Sequence, residues 1–279
     1  LFRTDASRAA TNALRQAFQL VAMIISIALT PMITSAIGFS MTSIIYAILG
    51  GAVILYMALT EKETLTEEHE KKPELWKSIK ELVTNSKFWL AGLTNAFYSA
   101  AISLVLAAMP FFAKYTLQIP DSQTTILFAT VLVIAIGCVA IWARLVKKFT
   151  LMPVWRAALA TLAVAFIPMY FANSLVTAII GGGLVGFGFA GVMTTPDLIG
   201  AKGMEEDTRK IGVRREGIIS NALGFMNRLS GFFVSSGFYL IFVLFGFESG
   251  KNPGSQPDPA SRFLLTVLPL LLMVISFGI

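Results

Sequence analysis

Apolar runs of roughly twenty residues, each closed by a short polar or charged stretch, repeat along the whole chain. A helix of that length crosses a hydrocarbon core of about 30 Å. Eight such spans are predicted, over approximately 17–36, 39–60, 88–112, 122–143, 151–171, 174–195, 218–246 and 262–279. Several contain Pro or clustered Gly, which membrane helices tolerate better than soluble ones. The links at 36–40 and 172–174 are short enough for tight turns between antiparallel helices. Longer polar links are expected at 61–87, 144–150, 196–216 and 248–261.

The link at 61–87 divides the chain into residues 1–60, with two spans, and residues 88–279, with six. It opens with a charge run and Pro73. Leu75, Trp76, Ile79, Leu82 and Val83 then recur at helical spacing, while Lys77, Lys80 and Glu81 take the other face. That pattern predicts a short amphipathic helix lying on the membrane surface. A six-span half after a long link suggests a transporter built of two six-helix halves, so four helices are expected ahead of residue 1. The first residues, Leu-Phe-Arg, form no apolar leader, and Ile279 falls inside an apolar run. Both ends therefore read as cut.

Composition supports the membrane reading. Of 279 residues, 56% are hydrophobic and 14% charged, with a mean hydropathy of +0.74. Soluble domains carry about 25% charged residues, and none of this length could bury so much apolar surface. The net charge of +6 calls for no nucleic acid, because basic residues concentrate in the cytoplasmic links of membrane proteins. With eight spans, 18 of the 22 Lys and Arg fall on one side. Lys114, Lys251 and Arg262 fall on the other, and Arg228 lies within a span. Both termini and the links 61–87, 144–150 and 196–216 are accordingly expected in the cytoplasm of a multi-pass cell-membrane protein. The partners expected are the lipid bilayer and a small-molecule solute, and the protein is expected to act as a monomer.

Enzyme chemistry has few residues to work with. Cys138 and His69 are single, so neither an internal disulfide nor a zinc site is available. No carboxylate falls inside any of the eight spans. No cofactor and no metal site are expected in this chain. A channel would show filter-like loops at membrane depth, and the pattern contains none.

Arg228 is the sharpest candidate. It lies about ten residues into its span, and a charge near mid-membrane costs at least ~2.5–3.5 kcal/mol on insertion scales. It either faces a cavity and its ligand, or forms a structural ion pair or snorkels to the surface. Asn221, Gly224 and Asn227 accompany it. Arg15 stands where the first span begins and also suits a helix-end anchor. Asn95 and Tyr98 sit on adjacent turns of one span, suited to lining an aqueous path or to bonding a neighbouring helix. Gly181, Gly182, Gly183, Gly186, Gly188 and Gly191 crowd another span, where they permit close helix approach.

Two stretches resemble a known family. Ser7-Arg8-Ala9-Ala10-Thr11-Asn12-Ala13-Leu14-Arg15-Gln16 is similar to the "E-R-x-x-L-N-x-x-R-Q" motif of the glycoside–pentoside–hexuronide cation symporters, with Ser7 and Thr11 departing from it. Glu206-Asp207-Thr208-Arg209-Lys210-Ile211-Gly212-Val213-Arg214-Arg215-Glu216-Gly217 looks like that family's "D-E-x-K-T-G-x-R-R-E-G" signature, and Asp197 resembles the aspartate opening the same link. This family is the melibiose-permease-like branch of the major facilitator superfamily. The resemblance covers the chain as helices five to twelve of twelve. It implies an all-α polytopic bundle that carries a sugar or related solute by alternating access, driven by Na⁺ or H⁺ bound on helices this chain lacks. It also implies that Arg15 and Arg228 face the cargo, with helices five, seven, eight, ten and eleven lining the cavity. Arg228 stands where the family has lysine, exchanging a point charge for a planar fork. A lysolipid or other amphiphile carrier of the same superfamily is the alternative, and a membrane-embedded enzyme is a further one. Asp197, Arg214, Arg215 and Glu216 are expected to form a cytoplasmic gate, its charges pairing across the halves with the Arg8 region or with loop carboxylates when that side is closed.

Overall fold

The computed structural model describes residues 14–23, 26, 30, 33, 34, 36–60, 74–212, 215–248 and 253–279. Residues 7–13, His69, Arg214 and most of the charge run of the long link lie outside the described residues. So does part of the first predicted span.

Within the described residues the chain is helical, with no strand. We label residues 14–23 α1, Phe39–Thr60 α2, Leu75–Val83 α3 and Ser86–Phe111 α4. Next come α5 (Asp121–Phe149), α6 (Leu151–Tyr170), α7 (Leu175–Thr194), α8 (Pro196–Ile211) and α9 (Glu216–Phe245). The last two are α10 (Pro257–Arg262) and α11 (Leu268–Gly278). A π-helical stretch, Phe112–Leu117, prolongs α4, and a second, Phe263–Val267, joins α10 to α11. Among the described residues, seven helical stretches are long and apolar enough to cross a membrane. The protein is thus an all-α polytopic bundle.

Two predicted links are helical instead. Residues 196–216, expected as a polar loop, are helical through Ile211. Pro196 at the first turn, Asp197 beside it, Arg209 and Lys210 in the last turn, and Gly212 at φ 72° after it mark the ends of a helix. Hydropathy passes over these signals because α8 buries no apolar stripe. Residues 144–149, expected in a loop, complete α5, whose final turn carries Lys147 and Lys148 where the helix dipole favours cations. Only Thr150, at φ 67°, separates α5 from α6. Likewise, α10 begins at Pro257, inside the expected 248–261 loop.

The core lies among α4, α5, α6, α7 and α11, built from side chains such as Leu104, Leu127, Leu162, Phe166 and Leu264. Glycines set how closely α7 can approach. A Cβ on Gly188 would lie 2.7 Å from the Leu162 Cα of α6, and one on Gly182 would lie 3.2 Å from Val131 of α5. The Trp142 indole of α5 donates to the Phe187 carbonyl at 2.9 Å, which fixes the register of α5 on α7. At the opposite end from α8, Arg262 closes the α6 terminus. It donates to the carbonyls of Tyr170 (2.5 Å) and Ala172 (3.1 Å) and to Asn173 Oδ1 (2.6 Å), with Asp258 as its ion-pair partner at 3.0 Å. The carbonyls left over at a helix end are thereby capped.

α2 packs differently. Thr42 is its one buried residue, while Leu59, Tyr56 and Ile54 are largely exposed. An apolar helix with bare faces is stable where lipid or another helix covers it.

Candidate functional site

α9 carries Asn221, Gly224, Asn227 and Arg228, four of the seven residues expected to bind cargo. It holds to α4 by Met226, seated over Gly92, and by Phe233, whose ring lies 5.2 Å from that of Phe97. Further along, Gly237 lies against Leu104, Leu264 and Leu268. These contacts orient the helix and leave the rest of it open. Asn221, Gly224, Asn227, Arg228, Gly231 and Ser235 are all exposed. Their spacing of three to four residues makes one polar stripe along the helix.

Arg228 lies about 18 Å along α9 from Glu216, at 1.5 Å per residue. Among the described residues no carboxylate pairs with it and no side chain covers it. A guanidinium so placed on a lipid-facing surface would be costly, so this stripe requires an aqueous path, a ligand or a polar partner surface. Gly224 and Gly231 have open space where a side chain would project, which keeps the backbone accessible beside Arg228.

Asn95 and Tyr98 are half-buried on α4, and Tyr98 packs against the core. They share the bundle with Arg228, but among the described residues no hydrogen bond joins the two groups. One cavity inside the bundle has a volume of about 20 Å³ and is lined by Val105, Met109, Leu162 and Phe166 among other apolar residues. It is too small and too apolar for a hydrated solute.

α1 meets the bundle through a charged contact. Arg15 donates to Asp197 through Nη2, and Gln16 Nε2 donates to the same carboxylate oxygen at 2.8 Å. Asp197 stands in the first turn of α8, where the helix dipole stabilises an anion. Gln16 and Leu20 are buried one turn apart, so α1 is seated by packing as well as by charge. The family resemblance implies that Arg15 faces the cargo, its place at the start of the span suits a helix-end anchor, and Asp197 is expected in a gate. The structure brings the two together.

Arg215 is engaged elsewhere. Its side chain is 3% exposed and forms a bidentate pair with Asp207 of α8, at 2.6 and 2.8 Å. Nη1 reaches Glu81 Oε2 at 2.8 Å and the Ser78 carbonyl at 3.4 Å, both on α3. The Asp207 hydrogen bonds raise its pKa above the ordinary guanidinium value, against desolvation, with the Asp207 and Glu81 charges adding to the rise. It therefore stays charged wherever the protein folds. Arg215 binds α3, α8 and the start of α9 into one corner. Of the partners expected for this region, the Arg8 region lies outside the described residues, and Glu81 is a carboxylate of the long link. Glu216 is exposed, and Arg214 lies outside the described residues. Glu81 and Ser78 were not singled out as site residues, because partners more than a hundred positions away carry no spacing signal, whereas Asp207, eight residues from Arg215, lies within the 206–217 stretch.

No cluster of metal-ligating side chains occurs among the described residues. The helices of membrane-spanning length and their apolar faces define a polytopic membrane protein. The family described as MFS/sugar transport protein matches residues 4–278, and the chain belongs to it, within the major facilitator superfamily. No curated protein matches the chain beyond chance.

Proposed function

We propose that the protein is a secondary active transporter that couples uptake of a sugar or related small solute to Na⁺ or H⁺, and that it is not an enzyme. The observation that carries this is the uncovered polar stripe of α9, with Arg228 exposed at membrane depth. Membership of the MFS/sugar transport family supports a transporter, and the resemblance to the cation symporters supports coupling. In this reading residues 1–60 belong to one half, 61–87 join the halves, and 88–279 form the other. The stripe faces the opposite half across a water-filled cleft. Arg228 holds a hydroxyl or acidic group of the cargo, and Asn221, Gly224 and Asn227 shape the path beside it. Asn95 and Tyr98 extend the lining from α4. The coupling cation is bound outside this chain, and its binding favours the loaded, closed state. The halves then rock about the cargo.

The contact of Arg15 and Gln16 with Asp197 serves as the gate pair on the basic side, which is the cytoplasmic face of the cell membrane in this reading. It closes when that side is shut and parts when it opens. Arg215 and Glu216 hold the corner against which the gate works.

The test is uptake by the parent protein in liposomes, with a panel of labelled sugars, glucuronides and lysolipids, with and without each ion gradient. Accumulation of a sugar or glucuronide that collapses with one gradient supports the proposal and identifies the ion. Accumulation of a lysolipid in its place would move the cargo to an amphiphile, which the planar guanidinium fork of Arg228 also suits. Uptake unchanged in the Arg228→Ala protein would remove the role given to α9.

A further inference from the structure

Helix α3 has two faces, and only one is used by the contacts described so far. Ser78 and Leu82 are buried on the inner face, and Glu81 and the Ser78 carbonyl hold Arg215. On the outer face Trp76 is 83% exposed, Ile79 41% and Val83 51%. Their spacing of three and four residues makes one stripe, and no described residue covers it. Lys77 and Lys80 are exposed beside it.

The depth of this helix follows from its junction with α4. The Trp89 indole, in the first turn of that membrane span, donates to the Val83 carbonyl at 2.6 Å. Asn85 accepts from the Lys87 backbone N–H at 3.1 Å and caps the same turn. Tryptophan at the start of a span sits at headgroup level, so Val83 is held at that level too. From there α3 runs with an exposed apolar stripe and flanking lysines, on the side of the membrane that carries most of the basic residues. Water is a poor partner for this stripe, and Lys77 and Lys80 give it the charge that complements an acidic surface.

We propose that α3 is a contact site for anionic lipid. Trp76, Ile79 and Val83 enter the boundary between headgroups and acyl chains of the basic-side leaflet, and Lys77 and Lys80 hold acidic headgroups. Because the opposite face of the same nine-residue helix grips Arg215, the leaflet also steadies the start of α9. This inference concerns the lipid surface alone and is independent of cargo and coupling ion.

The experiment uses the parent protein carrying Ile79→Cys in a Cys138→Ala background, with Trp76 intact. It is spin-labelled and reconstituted in phosphatidylcholine vesicles with or without phosphatidylglycerol. Expected is a label reached by oxygen and shielded from a water-soluble nickel chelate, with stronger shielding when phosphatidylglycerol is present. Replacing Lys77 and Lys80 by Gln should weaken the preference for phosphatidylglycerol over phosphatidylcholine, measured as co-purified lipid, by roughly fivefold per lysine. A label equally open to the nickel chelate in both vesicle types overturns the proposal. So does a lipid preference unchanged by the two lysine replacements. A label immobilised and shielded from both reagents even in detergent would assign the stripe to a protein segment or a second copy and overturn the lipid assignment.

Discussion

α7 and α9 are both apolar enough to span a membrane, and both contain glycines, yet the bundle treats them oppositely. In the apolar window of α7, 56% of residues are buried, against 11% in α9. The glycines of α7 meet neighbours at once, as Gly188 meets Leu162 and Gly191 meets Trp142. In α9 only Gly237 packs closely, against Leu104, Leu264 and Leu268, while Gly217, Gly224 and Gly231 meet nothing. Glycine thus has two uses in one fold. In α7 it brings backbones together, where dispersion between close surfaces replaces a hydrophobic drive that lipid does not supply. In α9 it leaves room beside polar groups. The difference separates a helix that holds the bundle from one that presents a surface.

The sharpest break of this comparison is Arg228→Ala. If the α9 stripe serves cargo, uptake should fall about 10- to 150-fold, the value of a charged hydrogen bond of roughly 1.5–3 kcal/mol. Membrane insertion and the melting temperature in detergent should hold. A matching loss of thermal stability would make the arginine structural. Arg215→Ala tests the corner beneath α9. It strands the carboxylates of Asp207 and Glu81, and with Glu81 partly exposed the cost should be about 3 kcal/mol, the low end for breaking a buried pair. Faster hydrogen exchange over residues 75–83 would locate that loss on α3.

Gly188→Ala should cost about 1–3 kcal/mol by overpacking against the backbone of Leu162, read as a lower midpoint in thermal unfolding. Gly231→Ala, in open space, should stay within about 0.5 kcal/mol. Equal effects at both positions would erase the distinction between the two helices. The smallest effect on stability is expected for Asp197→Asn. Its pair with Arg15 is exposed at 60% and 48% of the two side chains, and such pairs contribute about 0–1 kcal/mol. Its readout is the inward–outward balance, measured as spin-label distances across the basic side. No change there would end its role as a gate.

The membrane class was legible because a span needs about twenty apolar residues in sequence, a local property. The ends of the spans were less so. Residues 144–149 and 196–211 carry clustered charges among apolar residues, and hydropathy assigned them to links, although Pro196, Gly212 and the terminal charges were helix signals in plain view. The amphipathic period of α3 was legible, whereas its grip on Arg215 was not.

By itself the sequence determined that this chain crosses a bilayer, roughly where it does so, and which side is basic. Those follow from transfer energies of contiguous residues. It also marked Arg228 as exceptional, since a charge inside an apolar run is costly in any fold. The tertiary structure alone decided that α7 is buried and α9 open. It alone decided that Arg15 meets Asp197, and that Arg215 turns to Glu81 and Asp207. Those outcomes depend on helix rotation and on contacts between residues more than a hundred positions apart, such as Arg215 with Glu81, where sequence spacing carries no information about distance.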